Sequence, residues 1–420
     1  MSEKLVVAIA ADLHLNILKY KGVTDDVFAD TPFRHADFMN SFAWIVDKTI
    51  NEIKADLFII PGDVVDYHGP TNVLRGFFSQ QLEKLTSAKI PVVILIGNHD
   101  VCSRSHALED LSKLKLKNIK IIEEPTSLSF KGTDLFLFPY SLEIEKGNIA
   151  LKDQFCDFVK EIQKKKSDSP SLFFGHFGVR GAKLNEYDLP KGVDMQDLEE
   201  TKVGFINRNK KDVDLEELDS IGVDYVILGD YHQHQKLDTK KCYAMYTGSI
   251  EKTDISEATQ QKGFIVYDSE AEEQKENLGK CRFIEYPNCR PLVEFKGTIE
   301  DMQKKLDSLG TYDKKPIVKI SFVGTSKEKL DFNLGFESLR REIFKKINPI
   351  HFFHTLKTKN TKEEAAVKEI KDEIMEKGKA GSIVFLDIIV ESIKEKVKDD
   401  ENEQKAIIDL AKEIDIQVNK

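Results

Sequence analysis

The sequence predicts a layered α/β protein: a two-sheet α/β sandwich, followed by a small α+β capping domain and C-terminal helices. Three observations lead there. Five short apolar, β-branched runs stop abruptly at polar residues, as buried strands do. Helical periodicity fills the stretches between the first three, so strand, helix and strand alternate. Beyond about residue 270 the pattern shifts to a shorter mixture of strands and helices, and then to highly charged helical sequence.

The five runs are LVVAIAADLH, DLFIIPGDVVD, PVVILIGNHD, SLFFGHFG and DYVILGDYHQH. Between them Phe38, Phe42, Ile45, Val46, Thr49 and Ile50 fall at helical spacing, as do Phe77, Phe78, Leu82 and Leu85. A second sheet is expected from residues 126–140 and 243–267, with YTGSI and GFIVYD as antiparallel neighbours. The first domain then spans residues 1–270, and SEAEEQKENLGK follows as a linker or exposed hairpin. Residues 281–355 read as the capping domain, with strands PLVEFKG and KPIVKISFVG and helices IEDMQKKLDSL and LRREIFKKI. In residues 361–420, two amphipathic helices carry Ile383, Leu386, Val390, Ile393 and Val397, then Ile407, Leu410, Ala411 and Ile414. They either pack on their own domain or bind a partner.

At 420 residues the chain exceeds what one hydrophobic core serves, in keeping with several units. It is 40% hydrophobic and 32% charged, and no apolar run approaches the roughly 18 residues a membrane span requires. The start, MSEKLVVAIAADLH, reads as a first strand and not as a signal peptide, since Asp12 and His14 follow at once and no small-residue cleavage site is present. Five scattered cysteines (Cys102, Cys156, Cys242, Cys281, Cys289) without a CxxC pair suggest neither a disulfide framework nor a thiolate zinc site, and a reducing cytoplasm fits them best. The net charge of −10 argues against a nonspecific coat for nucleic acid, yet allows a local basic groove or a metal site that offsets phosphate charge.

The polar residues that end the five runs are metal-ligand types. They are Asp12 and His14; Asp63 and Asp66 after Gly62; Asn98, His99 and Asp100 after Gly97; His176 after Gly175; and Asp230 and His232 after Gly229, with His234 just beyond. Residues two apart on a strand point to the same side, so Asp12 with His14, and Asp230 with His232, can share an ion. Asp63 can bridge two ions through its two oxygens. Taken singly, each motif is also an ordinary strand-end pair or turn. Together they place five of the ten histidines at strand ends in an order that one sheet can assemble. Two divalent ions about 3.5–4 Å apart would clamp a phosphodiester and supply a nucleophile at neutral pH. Mixed oxygen and imidazole donors suit manganese, iron or zinc better than calcium or magnesium.

These motifs resemble those of the calcineurin-like metallophosphoesterases, whose pattern is DxH, GDxxD, GNHD or GNHE, GH and GHxH. The resemblance implies that Asp12, His14, Asp63 and the second residue of the last pair hold one metal. Asp63, Asn98, His176 and the first residue of that pair would hold the other. His99 would be a general acid for the leaving oxygen, and Asp100 would orient His99 or Asn98 or simply cap the turn. The final GHxH stands here as GDYHQHQ, which allows two registers: Asp230 with His232, preferred because it needs no insertion, or His232 with His234.

Within that superfamily the chain is similar to the SbcD type, the nuclease subunit of the SbcCD DNA double-strand-break repair complex and its phage relatives. The similarity lies in PFRHADFMNSFAWIVDKTINEIKADLFIIPGDVVD, in DYVILGDYHQHQ paired with YTGSIEKTDISE, and in Lys262 to Phe264. It implies a nuclease using two divalent ions, manganese first and magnesium, iron or zinc as alternatives. It also implies action on DNA ends, a coiled-coil ATPase subunit of the SbcC type bound by the C-terminal helices, and a homodimer within a heterotetramer. Arg34, His35, His68 and Arg104 lie on expected loops where phosphate contacts would fall. His351 and His354, beside Phe352 and Phe353, read as core or interface residues. Two rivals remain at this level. A small-molecule phosphodiesterase or phosphoprotein phosphatase would use the same metals without needing the later domains. A noncatalytic adaptor for the ATPase would not need the complete ligand set or His99.

Overall fold

The computed structural model describes residues 3–358 apart from 21–30, 68, 103, 166–167, 185–197, 202–203, 208–211, 275–276 and 325. They form two compact units. The first holds residues 1–293, 312–318 and 349–351; the second holds 294–311, 319–348 and the described residues from 352 onward.

The first unit begins with β1 (Val6–Ile9), α1 (Phe33–Lys48), β2 (Leu57–Pro61), α2 (Asn72–Ser87) and β3 (Val92–Leu95). A short hairpin of β4 (Val101–Cys102) and β5 (Ser105–His106) leads to α3 (Glu109–Leu114) and β6 (Ile119–Ile122). Next come β7 (Thr126–Phe130), β8 (Thr133–Phe138), α4 (Leu142–Glu145), α5 (Leu151–Lys165) and β9 (Ser171–His176). A small sheet of β10 (Lys183–Leu184), β11 (Leu198–Thr201) and β12 (Gly204–Asn207) precedes α6 (Leu215–Ile221). The unit closes with β13 (Tyr225–Gly229), β14 (Gln235–Leu237), β15 (Tyr243–Tyr246), β16 (Gly263–Asp268) and β17 (Cys281–Glu285).

Two six-stranded sheets result, ordered β17-β16-β1-β2-β3-β6 and β14-β15-β13-β9-β8-β7. In the first sheet β1, β2, β3 and β6 run parallel and β16 and β17 add an antiparallel side; in the second, β15, β13, β9 and β8 run parallel between the antiparallel edges β14 and β7. The central strands are buried on both faces, which is why they read as unbroken apolar runs. Alternate residues serve different layers. Ala8, Phe58, Ile60 and Ile94 pack with Phe38, Phe42 and Leu82 of α1 and α2. Val7, Ile9, Ile59 and Leu95 instead meet Leu172, Phe174, Ile227 and Met245 between the sheets. Phe173, Val226 and Leu228 join Phe155, Phe158 and Leu218 of α5 and α6. Each fully buried Phe or Leu in these layers stabilises the fold by about 1.5–3 kcal/mol.

Two sequence expectations are corrected here. GFIVYD (β16) is not the neighbour of YTGSI; it pairs antiparallel with β1 in the first sheet, whereas β15 runs parallel to β13 in the second. The connection from Thr247 onward crosses between sheets, and an apolar pattern does not record which partner a strand takes. The capping-domain boundary also moves, because Cys281–Glu285 is an edge strand on β16 and the second unit begins at Glu294. The acidic stretch before it joins two antiparallel neighbours, the hairpin reading of that segment.

The second unit is organised on a three-stranded sheet of β18 (Leu292–Lys296), β19 (Ile317–Gly324) and β20 (His351–Thr358), with α7 (Ile299–Ser308) and α8 (Ser326–Ile347). Thr298 and Asp301 form a capping box at the start of α7. Phe322 meets Phe332 at 4.8 Å between ring centroids, and Phe336 packs on Phe352 and His354. The expected helices of residues 361–420 lie outside the described residues. Among those described, no helix is long and apolar enough to cross a membrane.

Candidate metal centre

The ends of β1, β2, β3 and of β9, β13 meet at one edge of the first unit, so two facing sheets, and not one, assemble the site. His176 is the last residue of β9, but Asp12, His14, Asp63 and Asp230 lie beyond their strands with φ of 53°, 39°, 53° and 101°. Strand alternation therefore does not explain how Asp12 and His14 come together. Left-handed backbone at a residue with a side chain costs on the order of 1–3 kcal/mol, and the surrounding structure must hold it. Here the amide of Asp12 donates to the Gly62 carbonyl (3.2 Å), that of His14 to the Asp63 carbonyl (3.1 Å), and that of Asp230 to Asp12 Oδ1 (3.0 Å). Glycine is required at two contact points. A Cβ on Gly62, itself at φ 90°, would lie 2.1 Å from His176 Nδ1, and one on Gly97 would lie 2.1 Å from Asp63 Oδ1.

Three imidazoles present the same nitrogen to the centre. His14 Nδ1 lies 3.2 Å from Asp66 Oδ1, His176 Nδ1 lies 2.8 Å from the Pro61 carbonyl, and His232 Nδ1 faces Thr253 and Glu257. Acceptors at Nδ1 place a proton there and leave Nε2 facing inward as the nitrogen a metal would take. His14 Nε2 and His232 Nε2 are 2.9 Å apart, and His176 Nε2 is 2.8 Å from Asn98 Oδ1 and 3.3 Å from Asp63 Oδ1. Asp230 Oδ1 stands 3.8 Å from the same His176 nitrogen. Asp12 Oδ2 is buried without a hydrogen-bond partner. Inward-facing ring nitrogens and an unsatisfied buried carboxylate oxygen suit a cation, and two ligand groupings fit one: Asp12, His14, His232 and Asp12, Asp63, His176. A third grouping, His14, Asp66 and His99, shares His14 with the first.

The electrostatics agree. Burial alone would lower the His14 pKa, yet the hydrogen bond from Asp66 and the charges of Asp63, Asp66 and Asp12 carry it up to about 9. His176 is likewise raised against its burial, chiefly by Asp63. Burial would raise the Asp63 carboxyl, but His176, His99 and His14 hold it below the usual carboxylate range. Asp230 is pushed well up by burial and by Asp63 and Asp12, in spite of His176. With protein groups alone around it, His14 thus keeps its proton at pH 7, and a metal must displace it. Divalent-ion uptake at pH 7 is therefore expected to release protons, with affinity climbing as pH rises toward 9. Calorimetric titration in buffers of different ionisation enthalpy reads this directly, and an affinity constant between pH 6 and 9 would contradict it.

The remaining candidates fall differently. His99 is 36% exposed at the rim, its ring edge-on to His14 at 5.1 Å and its Nδ1 2.7 Å from the Asp66 carbonyl. Asp100 is buried, and its two oxygens accept from the Gly97 and Val65 amides at 2.9 and 3.0 Å. It thereby ties the loop that carries Asn98 and His99 to the loop after Asp63. Burial and the Asp63 charge push its carboxyl up to about 7. Asp230 Oδ1 and His232 lie beside the other candidate ligands, whereas His234 donates to the Tyr246 carbonyl (2.8 Å) and stacks on Phe283 at 4.1 Å. Arg34 is also corrected as a phosphate contact. It is 1% exposed, paired with Asp37 at 2.6 Å and bonded to the Lys252 carbonyl. His35 is buried as well, Arg104 is exposed, and His68 lies outside the described residues. His351 is half-buried against Tyr20. The sequence places Asp66 only among the metal-ligand types and gives no role to Thr253, Glu257 or Lys262, although all four fall inside the motifs GDxxD, EKTDISE and KGF.

The chain is 26% identical over 260 residues to the SbcD subunit of the nuclease SbcCD of Staphylococcus epidermidis, covering 59% of this chain and 63% of that protein. It is 27% identical over 187 residues to the DNA double-strand break repair protein Mre11 of Methanocaldococcus jannaschii, covering 43% of this chain and 47% of that one. The Mre11 protein of Sulfolobus acidocaldarius is 25% identical over 189 residues, covering 43% and 46%. The matches thus span from about half to less than two thirds of these relatives. The calcineurin-like phosphoesterase family model matches residues 5–236, more than half of the chain and every motif from Asp12 to His234, and the chain belongs to that family.

Proposed function

We propose that this chain is a metal-dependent DNA nuclease, hydrolysing phosphodiesters at a two-metal centre as the nuclease subunit of an SbcCD-type complex. The observation that carries the proposal is the convergence of Asp12, His14, Asp63, Asn98, His176, Asp230 and His232, with the half-exposed His99 at the rim. Asp12, His14, Asp63 and His232 would hold one ion; Asp63, Asn98, His176 and Asp230 would hold the other. When bound, such ions offset the charge of the phosphate and supply a nucleophile at neutral pH, and the mixed donor set favours manganese. The protein's own groups do the rest. The tethered Nδ1 atoms keep the ligands in place before substrate arrives. His99, hydrogen-bonded through Nδ1 to the Asp66 carbonyl, would protonate the departing oxygen through its other ring nitrogen. DNA as substrate is supported by similarity to relatives named as a nuclease and as double-strand break repair proteins. A coiled-coil ATPase partner and a homodimer belong to the same proposal.

The deciding assay offers labelled duplex and single-stranded DNA, beside bis-p-nitrophenyl phosphate, to the full chain with manganese and without ATP. DNA cleavage is expected. Hydrolysis of the small ester with no DNA cleavage under any metal would replace this reading with a small-molecule phosphodiesterase.

A further inference from the structure

His232 is held by a buried ion pair that the proposed chemistry does not use. Lys262 is 1% exposed and Glu257 is fully buried, with Lys262 Nζ 2.8 Å from Glu257 Oε2. An ammonium taken out of water is costly unless paired and hydrogen-bonded, and this one also donates to the His232 carbonyl (2.8 Å), Ser249 Oγ (2.9 Å) and Gln260 Oε1 (3.0 Å). The carboxylate is equally engaged. Oε2 accepts the Thr253 amide at 2.7 Å, while Oε1 accepts the Thr253 hydroxyl and faces His232 Nδ1 at 3.2 Å. Lys262 therefore grips His232 twice, by its backbone carbonyl and by the carboxylate that meets its ring.

The tautomer follows from this geometry. An ionised carboxylate only accepts, so His232 Nδ1 must donate, and the lone pair is left on Nε2, 2.9 Å from His14 Nε2. The carrying loop is fixed independently. The Ser249 amide donates to the His232 carbonyl at 3.1 Å, and Asp254 caps the turn Ile255–Glu257 through the Ser256 amide at 3.0 Å.

We infer that Glu257 is a positioning residue of the metal centre: clamped by Lys262, its carboxylate fixes the proton of His232 on Nδ1 and presents Nε2 as a metal ligand. This rests on the two-metal reading above and adds the group that orients one ligand. A carboxylate behind a ligating imidazole raises its basicity and sets its orientation, and removing such a partner typically weakens metal binding about 10–100-fold.

The test uses the full-length chain as wild type, Glu257→Gln and the double variant E257Q/K262M. Nitrogen-15 spectra of the histidine rings after chelator treatment read the His232 tautomer, and titration with manganese reads each affinity. Glu257→Gln is expected to disturb the tautomer and weaken one of the two ions about 10–100-fold, sparing the ion assigned to Asn98 and His176. E257Q/K262M removes both charges of the pair and carries the same test should the single variant fail to fold. It is expected to fold yet keep the weakened affinity, which a merely structural ion pair would not require. An unchanged tautomer with both affinities within twofold of wild type overturns the inference, as does recovery of full affinity in the double variant. A wild type that takes up no divalent ion instead defeats the metal-centre reading itself, and the two failures are distinguishable.

Discussion

Replacing His99 with alanine is expected to slow DNA cleavage by about 10²–10⁴-fold while manganese binding survives. The ring stands at the rim, 36% exposed, with Nδ1 committed to the Asp66 carbonyl, so its loss would remove the proposed proton donor and leave the buried candidate ligands in place. The effect should depend on the leaving group. An alkoxide departing from DNA needs a proton, whereas p-nitrophenolate leaves without one, so the same substitution should cost much less on bis-p-nitrophenyl phosphate. Comparing the rates of wild type and His99→Ala on the two substrates, with metal content measured on the same samples, checks both statements. Equal losses on both substrates, accompanied by lost metal, would instead make His99 a ligand through its grouping with His14 and Asp66.

Much of this site was legible because its chemistry is written in residue types. Asp, His and Asn at the ends of apolar runs stand out in any sequence, and the runs themselves announce buried strands. Partner choice was not legible. β16 and β15 carry the same kind of apolar run, and only the path of the connecting loop sends one to each sheet. Nor was the left-handed backbone of Asp12, His14 and Asp63, since the hydrogen bonds that hold it come from residues some 50 positions away. The Tyr246 carbonyl and the Phe283 ring hold His234, contacts that no local pattern encodes. Lys262 and Glu257 illustrate the same limit. In a chain that is 32% charged, a buried ion pair looks like any two surface charges.

Asp37→Ala is expected to destabilise the first unit by about 3–5 kcal/mol, measured as a shift in the denaturant midpoint. Asp37 is 2% exposed and takes Arg34 at 2.6 Å and Arg290 at 2.5 and 2.8 Å through its two oxygens. Without it two buried guanidinium groups lose their shared carboxylate, and neither can reach water: Arg34 is 1% and Arg290 6% exposed. A pair at the surface sets the scale. Lys48 and Glu52 are just as close, at 2.5 Å, yet Lys48→Ala should change stability by only a few tenths of a kcal/mol, because solvent screens an exposed pair and readily takes its place. The two pairs share a bond length and differ in what replaces the bond. By the same reasoning, replacing Arg34, Asp37 and Arg290 together by apolar residues of similar volume should cost less than Asp37→Ala alone, since no guanidinium is then stranded and the buried Glu251, which loses the Arg34 charge, can take up a proton. Should the triple variant prove as unstable as the single one, the contribution of Arg34 would lie in its hydrogen bond to the Lys252 carbonyl, one residue before Thr253 and the loop that holds His232.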